Sequence, residues 1–295
     1  MSSIEKAMER MGPEGVRRDA MPAHETTLSN TAQDEPEANG TINKGKLGKT
    51  KTTHHVDVAR FDRQGLLTPE SARSALAEEY RLIKRPVLLN AFGKGAAPVD
   101  SGNLVMITSA LPGEGKTFTS INLAMSLAME LDTTVLMVDS DVVKPSLTRQ
   151  IGLSEYPGLI DVLLDPSMDL SEVIVETDIP RLRVLPAGRS HSHSTELLAS
   201  KQMAQLMREV SARYSDRIVI LDAPPLLATS EASVLADLVG QILLVVEAGK
   251  TPENAIVDAI GKLNSEKRVI GTILNKMVRT VGSDYYGGYY GSYGH

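Results

Sequence analysis

From Leu104 to Glu130 the chain passes without a break through a short apolar run, a glycine-containing turn and a longer segment of helical character. Leu104-Val-Met-Ile-Thr108 reads as a buried strand, Ser109-Ala-Leu-Pro-Gly-Glu-Gly-Lys-Thr117 as the turn, and Phe118 to Glu130 as the following helix. This order aims a helix N-terminus and a row of backbone N–H groups at one point, which makes an anion site. Gly113 and Gly115 let the loop turn its N–H groups inward around phosphate oxygens. Lys116 has the reach for β- and γ-phosphates, and Thr117 carries the hydroxyl expected to ligate Mg²⁺. The expected nucleotide contacts are therefore Gly113, Glu114, Gly115, Lys116, Thr117 and Phe118. The usual spacing is Gly-x4-Gly-Lys-Ser/Thr, and Ala110 takes the first glycine position.

Downstream of this unit apolar strands alternate with helical segments. Strands fit 104–108, 134–139, 182–186, 217–222, 241–246 and 268–274, and helices fit 116–130, 158–165, 194–213, 230–238 and 252–264. Such alternation implies one α/β domain, a mostly parallel sheet flanked by helices, with its ligand at the carboxyl ends of the strands. The composition agrees: 42% of residues are hydrophobic but only 4% aromatic, so the core must be aliphatic, as in a parallel sheet. A net charge of −6 argues against generic nucleic-acid binding. The absence of cysteine excludes disulfides and thiol chemistry. No apolar run is long enough to cross a bilayer, and the N-terminus lacks the pattern of a secretory signal. A cytoplasmic location is the simplest expectation.

The two ends read differently. Residues 1 to about 60 are polar, without sustained period, and are expected to be disordered. Their basic cluster, Lys44, Lys46, Lys49 and Lys51, reads as a solvated linker, and the adjacent His54 and His55 as linker residues. Order is expected from Thr68, where Thr68-Pro69 resembles a helix start, with a helix running to Arg85 before Pro86. The folded domain expected on this basis spans 68–280. The final stretch, 281–295, holds five of the eight tyrosines, Tyr285, Tyr286, Tyr289, Tyr290 and Tyr293, spaced by Gly and Ser. It offers nothing aliphatic to pack and reads as a flexible tail.

Two strands end in acids. Val135-Leu-Met-Val-Asp139-Ser-Asp141 places two carboxylates at i and i+2, which face the same way in extended backbone. Ile218-Val-Ile-Leu-Asp222-Ala-Pro-Pro225 ends in a third and resembles a Walker B segment, whose Asp holds Mg²⁺. Together the Asp-Ser-Asp and Asp-Ala-Pro-Pro motifs resemble those of the bacterial tyrosine kinases of polysaccharide synthesis. In that family the first acidic motif continues Leu-Arg-Arg/Lys-Pro; here it continues Val142-Val143-Lys144-Pro145. Glu78-Glu-Tyr-Arg81-Leu-Ile-Lys84 resembles the family's Glu-x-x-Arg-x-x-Arg helix, and Gly271-Thr-Ile-Leu-Asn275 the strand whose Asn reads the adenine base.

The resemblance implies an ATP- and Mg²⁺-dependent autokinase that phosphorylates its own tail tyrosines in trans, in the service of exopolysaccharide production. Lys116 and Mg²⁺ would stabilise the transferring phosphoryl group. Asp139 is the candidate base, with Asp141 as the alternative base or as a positioner of metal, and Thr117, Asp139 and Asp222 form the expected metal set. Glu78, Arg81 and Lys84 would join copies into a ring. With no span of its own, the chain would be recruited to the inner face of the membrane by a separate membrane-anchored chain-length regulator. Two other readings stay open. One is a partition or positioning ATPase, whose extra loop lysine is replaced here by Leu111. The other is a nucleotide-dependent scaffold with little catalysis.

Overall fold

A computed structural model describes residues 53–93, 99–213, 216–263 and 267–278. The Lys44–Lys51 cluster and the five tail tyrosines lie outside the described residues. The strands are β1 (Leu104–Ser109), β2 (Thr134–Asp139), β3 (Val175–Glu176), β4 (Leu182–Leu185), β5 (Arg217–Asp222), β6 (Gln241–Glu247) and β7 (Val269–Asn275). They form one sheet in the order β3-β4-β2-β5-β1-β6-β7. Every pairing is parallel except β3 with β4.

The four central strands are buried on both sides, and side-chain alternation divides them between two cores. Leu104 and Met106 of β1 join one core, Val105 and Ile107 the other. The second core is covered by α1 (Val58–Arg63), α2 (Ala75–Ala91), α3 (Lys116–Ala128) and α4 (Ser146–Ile151). The first is covered by α5 (Leu159–Leu164), α6 (Leu170–Val173), α7 (Ser194–Leu198), α8 (Lys201–Arg213), α9 (Glu231–Ala236) and α10 (Glu253–Gly261). The result is a three-layer sandwich, the arrangement that nearly continuous apolar strands require. No helix among the described residues is long and apolar enough to cross a membrane.

All six expected strands are present; β3, α1, α4 and α6 were not expected. These are short elements, of two to six residues, held by packing rather than by period. The ordered chain also begins before Thr68. Val56, Phe61, Leu66 and Leu67 are buried, and the Leu67 N–H donates to Asn122 Oδ1 of α3 at 2.6 Å. His54 is not a linker residue: its Nε2 lies 2.8 Å from the Ile151 carbonyl, its ring packs edge-to-face on Tyr156, and His55 pairs with Asp178. Thr68 and Ser71 bond to each other in a closed turn, so they do not cap a helix. Ser74 is the cap instead, accepting from Ala77 N at 3.1 Å. The helix then runs through Pro86. Only one backbone bond is forfeited there, on a side where Leu82 stands 76% exposed and water can satisfy the carbonyl. The long helix expected over 194–213 is two, because the Ser200 hydroxyl accepts from Met203 N and starts α8 afresh.

If the segment before Thr68 belongs to the cooperative fold, Phe61→Ala should destabilise the protein by roughly 3–5 kcal/mol, as for other buried aromatics. The urea midpoint reads this directly, and an unmoved midpoint would detach residues 53–67 from the folding unit.

Candidate active site

The parallel order β2-β5-β1 brings together three segments far apart in the chain. Asp139 and Asp222 are register partners at the ends of β2 and β5, and Ile107 of β1 is the partner of Asp222 on its other side. The loop that leaves β1 therefore passes over both acids. Gly113 and Gly115 have φ of +89° and +98°, a left-handed backbone open to glycine without strain. At Gly115 there is also no room, since a Cβ would come within 2.1 Å of the Asn275 amide nitrogen.

The side chains expected from the sequence converge here. Asp222 is fully buried and accepts from Thr117 Oγ1 at 2.7 Å and from Ser120 Oγ at 2.9 Å. Ser120 was not expected at the site, although it lies one turn beyond Lys116 on the same helix. Lys116 Nζ pairs with Asp141 Oδ2 at 2.8 Å. Asp139 accepts from Thr148 N at 2.8 Å and Asp141 N at 3.3 Å. Phe118 adds its backbone to the first turn of α3 and packs its ring against the core. Glu114 turns inward and accepts from Leu111 N at 2.8 Å and from the Thr251 hydroxyl. Leu111 is half-buried against the core. Val143, where the resembled motif has arginine, is 66% exposed.

The electrostatics are those of a cation site. Burial raises the pKa of Asp139 to about 7, with the neighbouring Asp222 carboxylate adding to the shift. Asp222 is likewise pushed above the ordinary carboxylate range by burial, against the opposing pull of Lys116, Thr117 and Ser120. For Lys116 burial works to lower the pKa, but Asp222, then Asp141, outweigh it and hold the ammonium above its ordinary value. Three carboxylates surround one ammonium, and burial resists the full ionisation of two of them, an arrangement that an added cation would relieve. Among the described residues no acidic or imidazole side chains form a ready-made metal cage. Thr117, Asp139 and Asp222 are the groups here that could hold a Mg²⁺ ion, which takes only one or two carboxylates beside water and phosphate ligands. The loop also has donors to spare: no described protein group accepts the N–H of Glu114 or of Gly115. These are the groups a phosphate oxygen would take.

Two expected site residues are placed differently. Asn275, at the end of β7, donates its amide to the Glu114 carbonyl at 2.9 Å and so braces the loop. Lys84 does not share an exposed face with Glu78 and Arg81. Those two pair with each other on the surface of α2, while Lys84 is buried, with Nζ 2.9 Å from the Ser126 carbonyl and 2.5 Å from Glu130. At about 100° per residue, six positions rotate a helical side chain roughly 120° away from where it began. Spacing in threes therefore drifts off one face.

A family model described as an AAA domain matches residues 103–264. The chain is 35% identical over 222 residues to the tyrosine-protein kinase YwqD of Bacillus subtilis, covering 75% of this chain and 88% of that one. It is 34% identical over 226 residues to the succinoglycan biosynthesis transport protein ExoP of Rhizobium meliloti, covering 75% of this chain but only 27% of ExoP. The solved kinase domain of the Escherichia coli tyrosine kinase ETK superposes with a TM-score of 0.63 at 28% identity, over 78% of this chain and 86% of that domain.

The Asp139 shift has a consequence for stability. A folded-state pKa near 7 against an ordinary 3.8 means that the folded chain retains a proton which the unfolded chain releases. Stability therefore falls as pH rises between those two values, and the full cost persists above them. Asp139→Asn removes that cost. The metal-free variant should melt higher than wild type at about pH 8, on the order of 5 °C, with the gap closing toward about pH 4. Equal melting temperatures across the range would mean that Asp139 titrates normally.

Proposed function

The chain belongs to the bacterial tyrosine kinases, and from that premise we propose that it transfers the γ-phosphoryl group of ATP to tyrosines of its own C-terminal tail, between copies, with Mg²⁺. The observation that carries this reading is the root of the tail. The strand that leads to it ends at Asn275, on the rim of the phosphate loop. Six residues lie between the last described residue, Val278, and Tyr285, and seven residue steps cannot span more than about 24 Å. The segment that carries the acceptors thus leaves the described fold beside the phosphate loop.

In this reading the loop N–H groups of Glu114 and Gly115 hold phosphate oxygens, and Lys116 balances the charge on the transferring group. Thr117, Asp139 and Asp222 hold Mg²⁺, which would polarise the phosphoryl oxygens. The acceptor phenol, with an ordinary pKa near 10, must give up its proton during transfer. Asp139 is the proposed base because it stands at the end of β2 beside the acids and the loop, with Asp141 as the alternative. Asn275, whose amide braces the loop, is also the proposed reader of the adenine ring. The exposed Glu78–Arg81 pair on α2 is the proposed contact between copies in a ring, without Lys84. The polysaccharide role rests on relatives such as ExoP, and a separate membrane-anchored regulator is the proposed recruiter. The half-buried Leu111 leaves no loop lysine for the partition-ATPase reading.

Labelled ATP with Mg²⁺ tests the reading. Lys116→Met should lower tail labelling at least about a hundredfold. Mixed with an active variant whose five tail tyrosines are Phe, the Lys116→Met chain should acquire label. Wild type that labels itself while this mixture stays unlabelled would make transfer intramolecular, and no label on any tail tyrosine would refute the autokinase. For the ring, Arg81→Glu in the five-Phe background should lower the nucleotide-bound mass measured by light scattering, and an unchanged mass would move the contact elsewhere.

A further inference from the structure

Lys276, immediately after β7, was not singled out by any motif. Its backbone is left-handed, with φ of +57°, a conformation that a residue with a side chain rarely keeps without being held. What holds it is visible. Lys276 Nζ lies 2.7 Å from the Gly113 carbonyl of the phosphate loop and 3.1 Å from Glu247 Oε2 at the end of β6. Its neighbour Asn275 takes the next carbonyl of the loop, that of Glu114. Two consecutive carbonyls are thus pulled toward the end of β7.

In a trans peptide the C=O and the following N–H point in opposite directions. There are no cis peptides among the described residues. Fixing the Gly113 carbonyl therefore fixes the N–H of Glu114, and fixing the Glu114 carbonyl fixes that of Gly115. Both N–H groups then face away from β7, without protein acceptors. We propose that Lys276 is a positioning residue: anchored by Glu247, its ammonium locks the Gly113–Glu114 peptide so that the loop's N–H donors face the nucleotide phosphates. The inference rests on the nucleotide-binding part of the kinase reading and adds a residue to it. The hydrogen bond from Lys276, the largest influence on Glu247, holds that carboxyl below its usual range, as expected of an anchor that stays ionised. Lys250 supplies an internal control, since it pairs with the same carboxylate at 3.2 Å but makes no bond to the loop.

The test is the affinity of the full chain for a fluorescent ADP analogue with Mg²⁺, alongside the melting temperature of each variant. Lys276→Met should weaken binding about tenfold, the loss of one charge-assisted hydrogen bond's worth of preorganisation. Lys276→Gly, which keeps the left-handed backbone and deletes the amine, should match it. Lys276→Arg should recover most of the affinity, and Lys250→Met should bind as wild type. The weakening should persist at about 1 M salt, where the screening length is roughly 3 Å. Unchanged affinity in Lys276→Met would overturn the proposal. So would a loss that disappears at high salt or that Lys250→Met reproduces, since either would mark simple long-range attraction. A melting temperature lowered in Lys276→Met but not in Lys276→Gly, with only the former binding weakly, would assign the effect to folding and also overturn it. Wild-type protein that binds no analogue would instead refute the nucleotide reading on which the proposal rests.

Discussion

A fully buried carboxylate organises the carboxyl end of this sheet. Asp222 has no contact with water, so its charge must be met by neighbours or given up to a proton. Thr117 and Ser120 donate to its two oxygens, which ties the end of β5 to the first turn of α3. Because strands β2 and β5 are parallel and in register, the next acid, Asp139, is forced alongside. Each carboxylate makes ionisation of the other harder, and burial amplifies the effect. The site thus crowds acids that resist ionisation around Lys116, an unfavourable arrangement for the protein alone. It suits a ligand that brings both a divalent cation and phosphates, whose charges complement the acids and the ammonium together.

The same logic of unmet groups runs along the loop. A glycine-rich turn is free to point its peptides in many directions, and that freedom is lost when a ligand binds. Here the far side of the turn is already held: Asn275 and Lys276 take its carbonyls, and Glu114 ties it to Thr251 and to Leu111. The N–H groups of Glu114 and Gly115 are left among the loop's backbone donors without protein partners. Preorganisation of this kind lowers the entropy lost on binding. It also links the loop to the strand that leads into the tyrosine tail.

What the sequence disclosed and what it hid follow from how local each feature is. The loop from Ser109 to Thr117 and the acids Asp139, Asp141 and Asp222 were legible because each sits where an apolar strand ends, and a parallel sheet gathers strand ends. Ser120, Thr148, Thr251 and Lys276 were not, because their partners lie on other elements, from nine to more than a hundred residues away. Lys84 misled for a related reason. The motif spacing placed it with Glu78 and Arg81, but helical rotation and the neighbouring end of α3 drew it inward. The segment 53–67 looked like linker because its apolar residues show no period. Phe61 and Leu67 each fill a site on α3's side of the sheet without needing one.

Lys84 in fact serves the site from its far end. Among the last carbonyls of α3, those of Met125 and Leu127 accept from Met129 and Glu130, leaving Ser126 without a backbone donor. Lys84 supplies that donor, and Glu130 supplies its counter-charge. A cation at the C-terminus of a helix is favoured by the helix dipole, as an anion is at the N-terminus. In α3 the N-terminus is the phosphate loop. One helix therefore has its carbonyl end matched by a buried lysine from α2 and its amide end left open toward the ligand. The Leu67 N–H bond to Asn122 clamps the middle of the same helix. Helix α2 and the strap before it thus do more than cover the sheet: they hold rigid the element whose first turn presents Lys116 and Thr117. Any surface on α2 that meets another copy is one packed helix away from the phosphate site, a route by which assembly and nucleotide binding can be coupled.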